Sequence, residues 1–152
     1  MHYTIRIEQA PAQTLAVVRR RALPQELSKV VPECCGLVWN ALRAQDVGDA
    51  GRHVAIYYDD AINLEVGVEV RSPFPGNGEV VPSTTPAGTV AATTHYGPYN
   101  LLNLAHEAIH VWCRANGRQL AGPRWEIYGH WQTDWQQNPD KITTDVYYLL
   151  TN

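Results

Sequence analysis

The chain has 152 residues, 45% of them hydrophobic and 18% charged, with a formal net charge of −3. That length and mixture suit one folded domain with its own core and exclude a disordered or collagen-like chain. So small a negative charge gives no field toward nucleic acid or an anionic membrane, and no run of 18 apolar residues exists to cross a bilayer, so neither partner is expected. The start MHYTIRIEQ lacks a basic-then-apolar leader pattern. Cys34, Cys35 and Cys113 are an odd set with one adjacent pair, which reads as free thiols in a reducing, cytoplasmic compartment.

In chain order, residues 3–8 (YTIRIE) alternate as a strand, and residues 14–20 (TLAVVRR) form a second candidate. Pro24 opens helical patterning to about Ala44, interrupted at Pro32. Residues 46–52 read as a loop. Residues 53–58 and 64–71 read as a hairpin around residues 59–63, and residues 72–78 (SPFPGNG) as a connector. The second part repeats this order. Residues 89–96 form a strand, Gly97-Pro98 starts a helix to about Asn116, and Gly117 stops it. Residues 124–131 and 143–150 are strands separated by the polar loop 132–141.

Three short matches make this a duplication. Thr14-Leu15-Ala16 corresponds to Thr89-Val90-Ala91, Val38-Trp39 to Val111-Trp112, and Ile56-Tyr57 to Ile127-Tyr128, at offsets of 75, 73 and 71 residues. The expected fold is therefore α+β in a single domain over residues 1–152, with repeats at about 1–72 and 79–152. Each repeat is a strand–helix–strand–strand module. Together they form one antiparallel sheet carrying a helix from each half, with a cleft at the pseudo-two-fold seam.

Residues 106–110 read HEAIH and satisfy H-E-x-x-H, the zinc-hydrolase signature. The surroundings argue otherwise. At 100° per residue, Leu101, Leu104, Ala105, Ala108, Ile109 and Trp112 share an apolar face, which puts His106, Glu107 and His110 on the opposite side, the histidines toward solvent or its boundary. Cys113 and Asn116 occupy the glycine and histidine places of the extended signature. The only later glutamate, Glu126, sits on a strand. A solvated helix face is the expectation, with a His106/His110 metal site as the alternative and no cofactor required.

Along residues 124–131, Glu126, Tyr128 and His130 share one face, and Trp125, Ile127 and Trp131 the other. A glutamate between Trp and Ile is either exposed, paired with Arg124 or Lys141, or kept for a cationic ligand beside aromatic faces. Five tryptophans and eight tyrosines against one phenylalanine favour rings that suit a partly wet pocket. Tyr57 and Tyr128 are repeat mates that can face each other across the seam. Trp39 and Trp112 divide between core packing and ligand contact, and one of Tyr147 and Tyr148 can reach a pocket. In HYGPY (residues 95–99), Gly97 and Pro98 set the start of the helix, and His95 is a pocket candidate. Cys34 and Cys35, mid-helix with no nearby histidine, make poor nucleophiles.

Residues 86–99 (PAGTVAATTHYGPY) and 122–128 (GPRWEIY), together with HVAIYYDD and LEVGVEV in the first half, resemble the GyrI-like small-molecule-binding family. That family includes effector-binding domains of AraC-type and MerR-type multidrug regulators and stand-alone gyrase-inhibitor-like proteins. The resemblance implies a duplicated module with an aromatic cleft and an acidic residue for cationic, often planar, ligands; the glutamate of P-x-x-E-x-Y matches Glu126. No helix-turn-helix precedes Met1-His2-Tyr3, so a stand-alone binder is expected. Its candidate ligand-binding residues are Glu126, Tyr128, Tyr57, Trp39, Trp112, Tyr148 and His95. The resemblance also implies two alternatives: a hydrolase of cyclopropane-type genotoxins with Glu126 as general base, or a gyrase-inhibitor-like interaction protein whose partner is unknown.

Overall fold

The computed structural model describes residues 2–46, 50–59 and 63–151. Period-two segments pair and period-3.6 segments coil in the expected places. The elements are β1 (Arg6–Ala10), β2 (Thr14–Arg21), α1 (Leu27–Ala44), β3 (His53–Tyr57), β4 (Asn63–Glu69), β5 (Val80–Thr84), β6 (Gly88–Tyr96), α2 (Asn103–Ala115), β7 (Leu120–Tyr128) and β8 (Thr143–Leu150). All eight strands join one antiparallel sheet in the order β1-β6-β8-β7-β3-β4-β2-β5. Helix α1 packs over β2 and β4, and α2 over β6 and β8. No described helix is long and apolar enough to cross a membrane.

Each half carries one strand more than the expected module, and the extra strands are exchanged. The leading strand β1 pairs with β6 of the second half, while β5 pairs with β2 of the first. Strand β5 escaped the sequence reading because Pro82 interrupts it; a proline is tolerated there because β5 is an edge strand. Pro32 does not divide α1, which runs through it unbroken. The carbonyl deprived of its donor belongs to Ser28, and Ser28 and Pro32 are both exposed, so water can take the place of that bond. Strand β7 stops at Tyr128, which leaves residues 129–131 as a loop. Parts of the two first-half loops, residues 47–49 and 60–62, lie outside the described residues.

The connections force the sheet to curl. Strands β1 and β2 lie six spacings apart, about 29 Å in a flat sheet. Only residues 11–13 join them, a reach of about 15 Å. Residues 85–87 bind β5 to β6 under the same constraint. The helix-free face therefore closes on itself and buries Leu15, Val17, Val54, Ile56, Val90, Ala92 and Trp125 without any covering helix. Gly67 of β4 packs tightly against β2: a Cβ there would fall 1.8 Å from the Ala16 carbonyl oxygen.

Among the described residues, one buried side-chain group is left unsatisfied: the Thr144 hydroxyl on β8 has no hydrogen-bond partner. Thr144→Val keeps the shape and removes the stranded dipole. It is expected to stabilise the fold by about 1 kcal/mol, read as a higher thermal midpoint; a lower midpoint would mean the hydroxyl has a partner in solution.

Candidate functional site

Burial aligns the two halves more tightly than letter identity does. The buried residues of α1 include Cys34, Val38 and Leu42, and those of α2 are Ala105, Ile109 and Cys113, each pair 71 residues apart. That equals the Ile56/Ile127 offset. The Val38/Val111 match is therefore a coincidence, since Val38 is fully buried and Val111 half exposed. At this offset Cys35 corresponds to His106, Trp39 to His110, Ala55 to Glu126 and Tyr57 to Tyr128. Ala55 and Glu126 are also direct partners across the β3–β7 seam, so they straddle the pseudo-two-fold axis. The same seam sets Val66 opposite Ala55 and Val146 opposite Glu126, which makes Val68 the counterpart of Tyr148.

In the second half these positions are filled by a polar chain. The Tyr128 hydroxyl donates to Glu126 Oε1 at 2.5 Å, and the Nε2–H of His106 donates to Glu126 Oε2 at 2.6 Å. His106 Nδ1 is 2.7 Å from the Tyr148 hydroxyl, and His110 packs edge-on against the Tyr148 ring at 5.0 Å. The Tyr57 hydroxyl lies close enough to Tyr128 for the two phenols to influence each other, and the Arg124 guanidinium lies 5.6 Å from the Tyr57 ring centroid. Burial first, and the Glu126 charge second, push both phenols up, so they stay protonated. Glu126 itself is 6% exposed.

In the first half the equivalent space is open. Cys35, the mate of His106, stands on the wall of this opening, while Ala55 and Val68, the mates of Glu126 and Tyr148, are fully buried in the core beneath α1 and carry no polar side chain. The opening is a pocket of about 780 Å³ walled by α1, by residues 50–53, by the start of the α2 segment and by loop residues 129–131. Its lining includes Trp39, Tyr57, Tyr99, Tyr128 and Trp131, with no carboxylate among the described residues. Trp39 Nε1–H donates to His53 Nε2 at 2.8 Å. An indole only donates, so His53 must be neutral with its proton on Nδ1. Burial, then the nearby His130, lowers the His53 pKa, in agreement. Tyr99 meets Tyr128 edge-on at 5.8 Å, and buried Trp135 braces Trp131 at 5.5 Å. Cys35 on this wall has its thiol pushed up to about 11, chiefly by burial, which keeps it a thiol at neutral pH.

Three expected ligand residues, Trp39, Tyr57 and Tyr128, thus line the pocket, and Glu126 lies beneath it. Tyr148 is behind Glu126 through His106. His95 is fully buried and bonded to the Tyr3 hydroxyl and the Pro98 carbonyl, where it pins the start of the α2 segment. Trp112 faces a separate groove with Tyr3 and Ile5. The solvent-facing reading of HEAIH fails for His106: it sits at the boundary of the apolar face and reaches inward, with both ring nitrogens committed. No cluster of three or more metal-ligating side chains forms among the described residues. The sequence reading missed Val31, Cys35, His53, Tyr99 and Trp131 on the pocket wall. The 71-residue burial offset would have flagged Cys35, as the mate of a histidine.

The sequence model of the family described as GyrI-like small molecule binding domain matches residues 3–150. Among solved structures, the C-terminal domain of EcmrR superposes with a TM-score of 0.80 at 19% identity, covering 100% of this chain and 99% of that one. SAV2435 bound to tetraphenylphosphonium gives 0.65 at 12% identity, covering 100% and 95%. A hydrolase from Listeria innocua gives 0.63 at 12% identity, covering 97% and 91%. At these identities the structures share the fold. No curated protein sequence matches the chain.

Proposed function

The chain belongs to the GyrI-like small-molecule-binding family, and on that premise we propose that it binds compact or planar aromatic cations in the pocket beside α1. One observation carries the reading: five Trp and Tyr rings enclose a space whose floor, through the Tyr128 hydroxyl, rests on the buried carboxylate of Glu126. Rings supply apolar area and cation–π attraction, and the carboxylate supplies a negative field inside a poorly hydrated wall. SAV2435, a protein of the same fold, was solved with an aromatic cation, which supports this ligand class.

The hydrolase alternative finds less support. A general base must reach the attacking water, and both Glu126 oxygens are already engaged, by His106 and Tyr128. Binding without turnover fits that arrangement better.

Titration calorimetry with tetraphenylphosphonium tests the proposal. Saturable one-site binding is expected, with stabilisation of about 2.7 kcal/mol at a hundredfold excess over Kd. Trp39→Ala, which removes a half-exposed wall ring, is expected to weaken binding about tenfold. A series of aromatic cations that all leave the thermal midpoint unmoved would sink the reading.

A further inference from the structure

Glu126 is the carboxylate at the pocket floor, yet its charge is not its own to present. His106 Nε2 holds Oε2 at 2.6 Å, and Tyr148 holds the other ring nitrogen at 2.7 Å. The equivalent first-half positions, Cys35, Ala55 and Val68, carry no charge. We propose that His106 is the positioning residue that sets which ligand charge the pocket accepts, an inference that rests on the binding reading above. With a neutral imidazole, the Glu126–His106 pair carries one negative charge beneath Tyr128. With an imidazolium the pair cancels, and the pocket offers a ligand only its rings. A cation gains from the first state and loses that gain in the second; an uncharged aromatic of the same shape is indifferent to both.

The groups facing His106 are few. Glu126 and Tyr128 come from β7, Tyr148 from β8, and His110 lies one turn along α2 with its ring on Tyr148. Tyr57 of β3 reaches it only through Tyr128, and the Arg124 guanidinium stands over the Tyr57 ring. Glu107 is exposed on the outer side of α2.

The test measures Kd for tetraphenylphosphonium and for uncharged triphenylphosphine oxide at about pH 8 and about pH 5, the span over which imidazoles change charge. For the wild type, cation affinity is expected to fall on the order of tenfold on acidification, with the neutral probe moving less than about twofold. His106→Gln keeps a side-chain donor for Glu126 without a titrating ring, so its cation affinity should stay flat with pH. His110→Gln should behave as wild type. Should His106→Gln not fold, the His53→Gln/His130→Gln double variant decides: a cation-selective pH response that survives in it supports the inference, and one that disappears overturns it. An equal pH response for the two probes overturns the inference, and so does a wild-type response in His106→Gln, which would make His53 or His130 on the wall responsible. If neither probe binds at either pH, the binding reading falls and takes this one with it.

Discussion

Gly67→Ala is expected to abolish the cooperative thermal transition or lower it severely. A Cβ at this position would lie 1.8 Å from the Ala16 carbonyl oxygen and 2.7 Å from the Val17 Cα. Both obstacles are backbone, so no rotamer change relieves them; β2 would have to move off β4, its hydrogen-bonded neighbour. Overpacking of a flexible site costs roughly 1–3 kcal/mol, and here the whole cost falls on the β2–β4 strand pair. A loss of at least about 3 kcal/mol is therefore expected, a large share of a typical domain's stability. Gly36→Ala is the matched control. Gly36 sits in α1 with nothing within 4 Å of a new Cβ, and alanine there should stabilise by about 0.5–1 kcal/mol. Denaturant melts of the two variants moving in the same direction would refute the argument.

Glu126→Gln should have the largest effect on ligand binding. A cation about 6 Å from a carboxylate, at an effective dielectric of about 20, gains roughly 2–3 kcal/mol. Removing the charge should raise the Kd for tetraphenylphosphonium roughly thirty- to hundredfold, at about 1.4 kcal/mol per decade. The fold should tolerate the change. A glutamine oxygen still accepts from Tyr128, and its amide can donate to His106 Nε2 once the imidazole proton moves to Nδ1, facing Tyr148. The neutral triphenylphosphine oxide separates charge from shape. An equal loss for both probes would mean that Glu126 only shapes the pocket, and no loss for the cation would remove its assigned role.

How much of this was legible in advance differs between fold and site. The strand readings at residues 14–20, 89–96 and 143–150 located β2, β6 and β8 closely, while the alternating residues 3–8 only partly overlap β1. Strand β5 was lost because Pro82 is a breaker anywhere except at an edge, and nothing local says that a segment is an edge. Equivalence of the halves was read from letter identity, which paired Trp39 with Trp112. Burial pairs Trp39 with His110 instead, and only that pairing shows why one half is open and the other filled. His106 was assigned to solvent or its boundary because a helical projection gives direction but not reach, and an imidazole at the edge of the apolar stripe can turn inward when a buried acceptor waits there.

What the sequence supplied by itself is the duplication, the α+β class and the aromatic bias, which follow from periodicity and composition acting locally along the chain; the resemblance to the P-x-x-E-x-Y motif is what singled out Glu126. The tertiary structure alone decided the rest: that the sheet curls, that Gly67 must be bare, that the pocket opens beside α1, and that Glu126 lies under Tyr128 with His106 at its side. Each depends on residues far apart in sequence meeting across the β3–β7 seam, between β2 and β4, or between α2 and the sheet. Such meetings are set by connection lengths and close packing over the whole sheet, which no local pattern encodes.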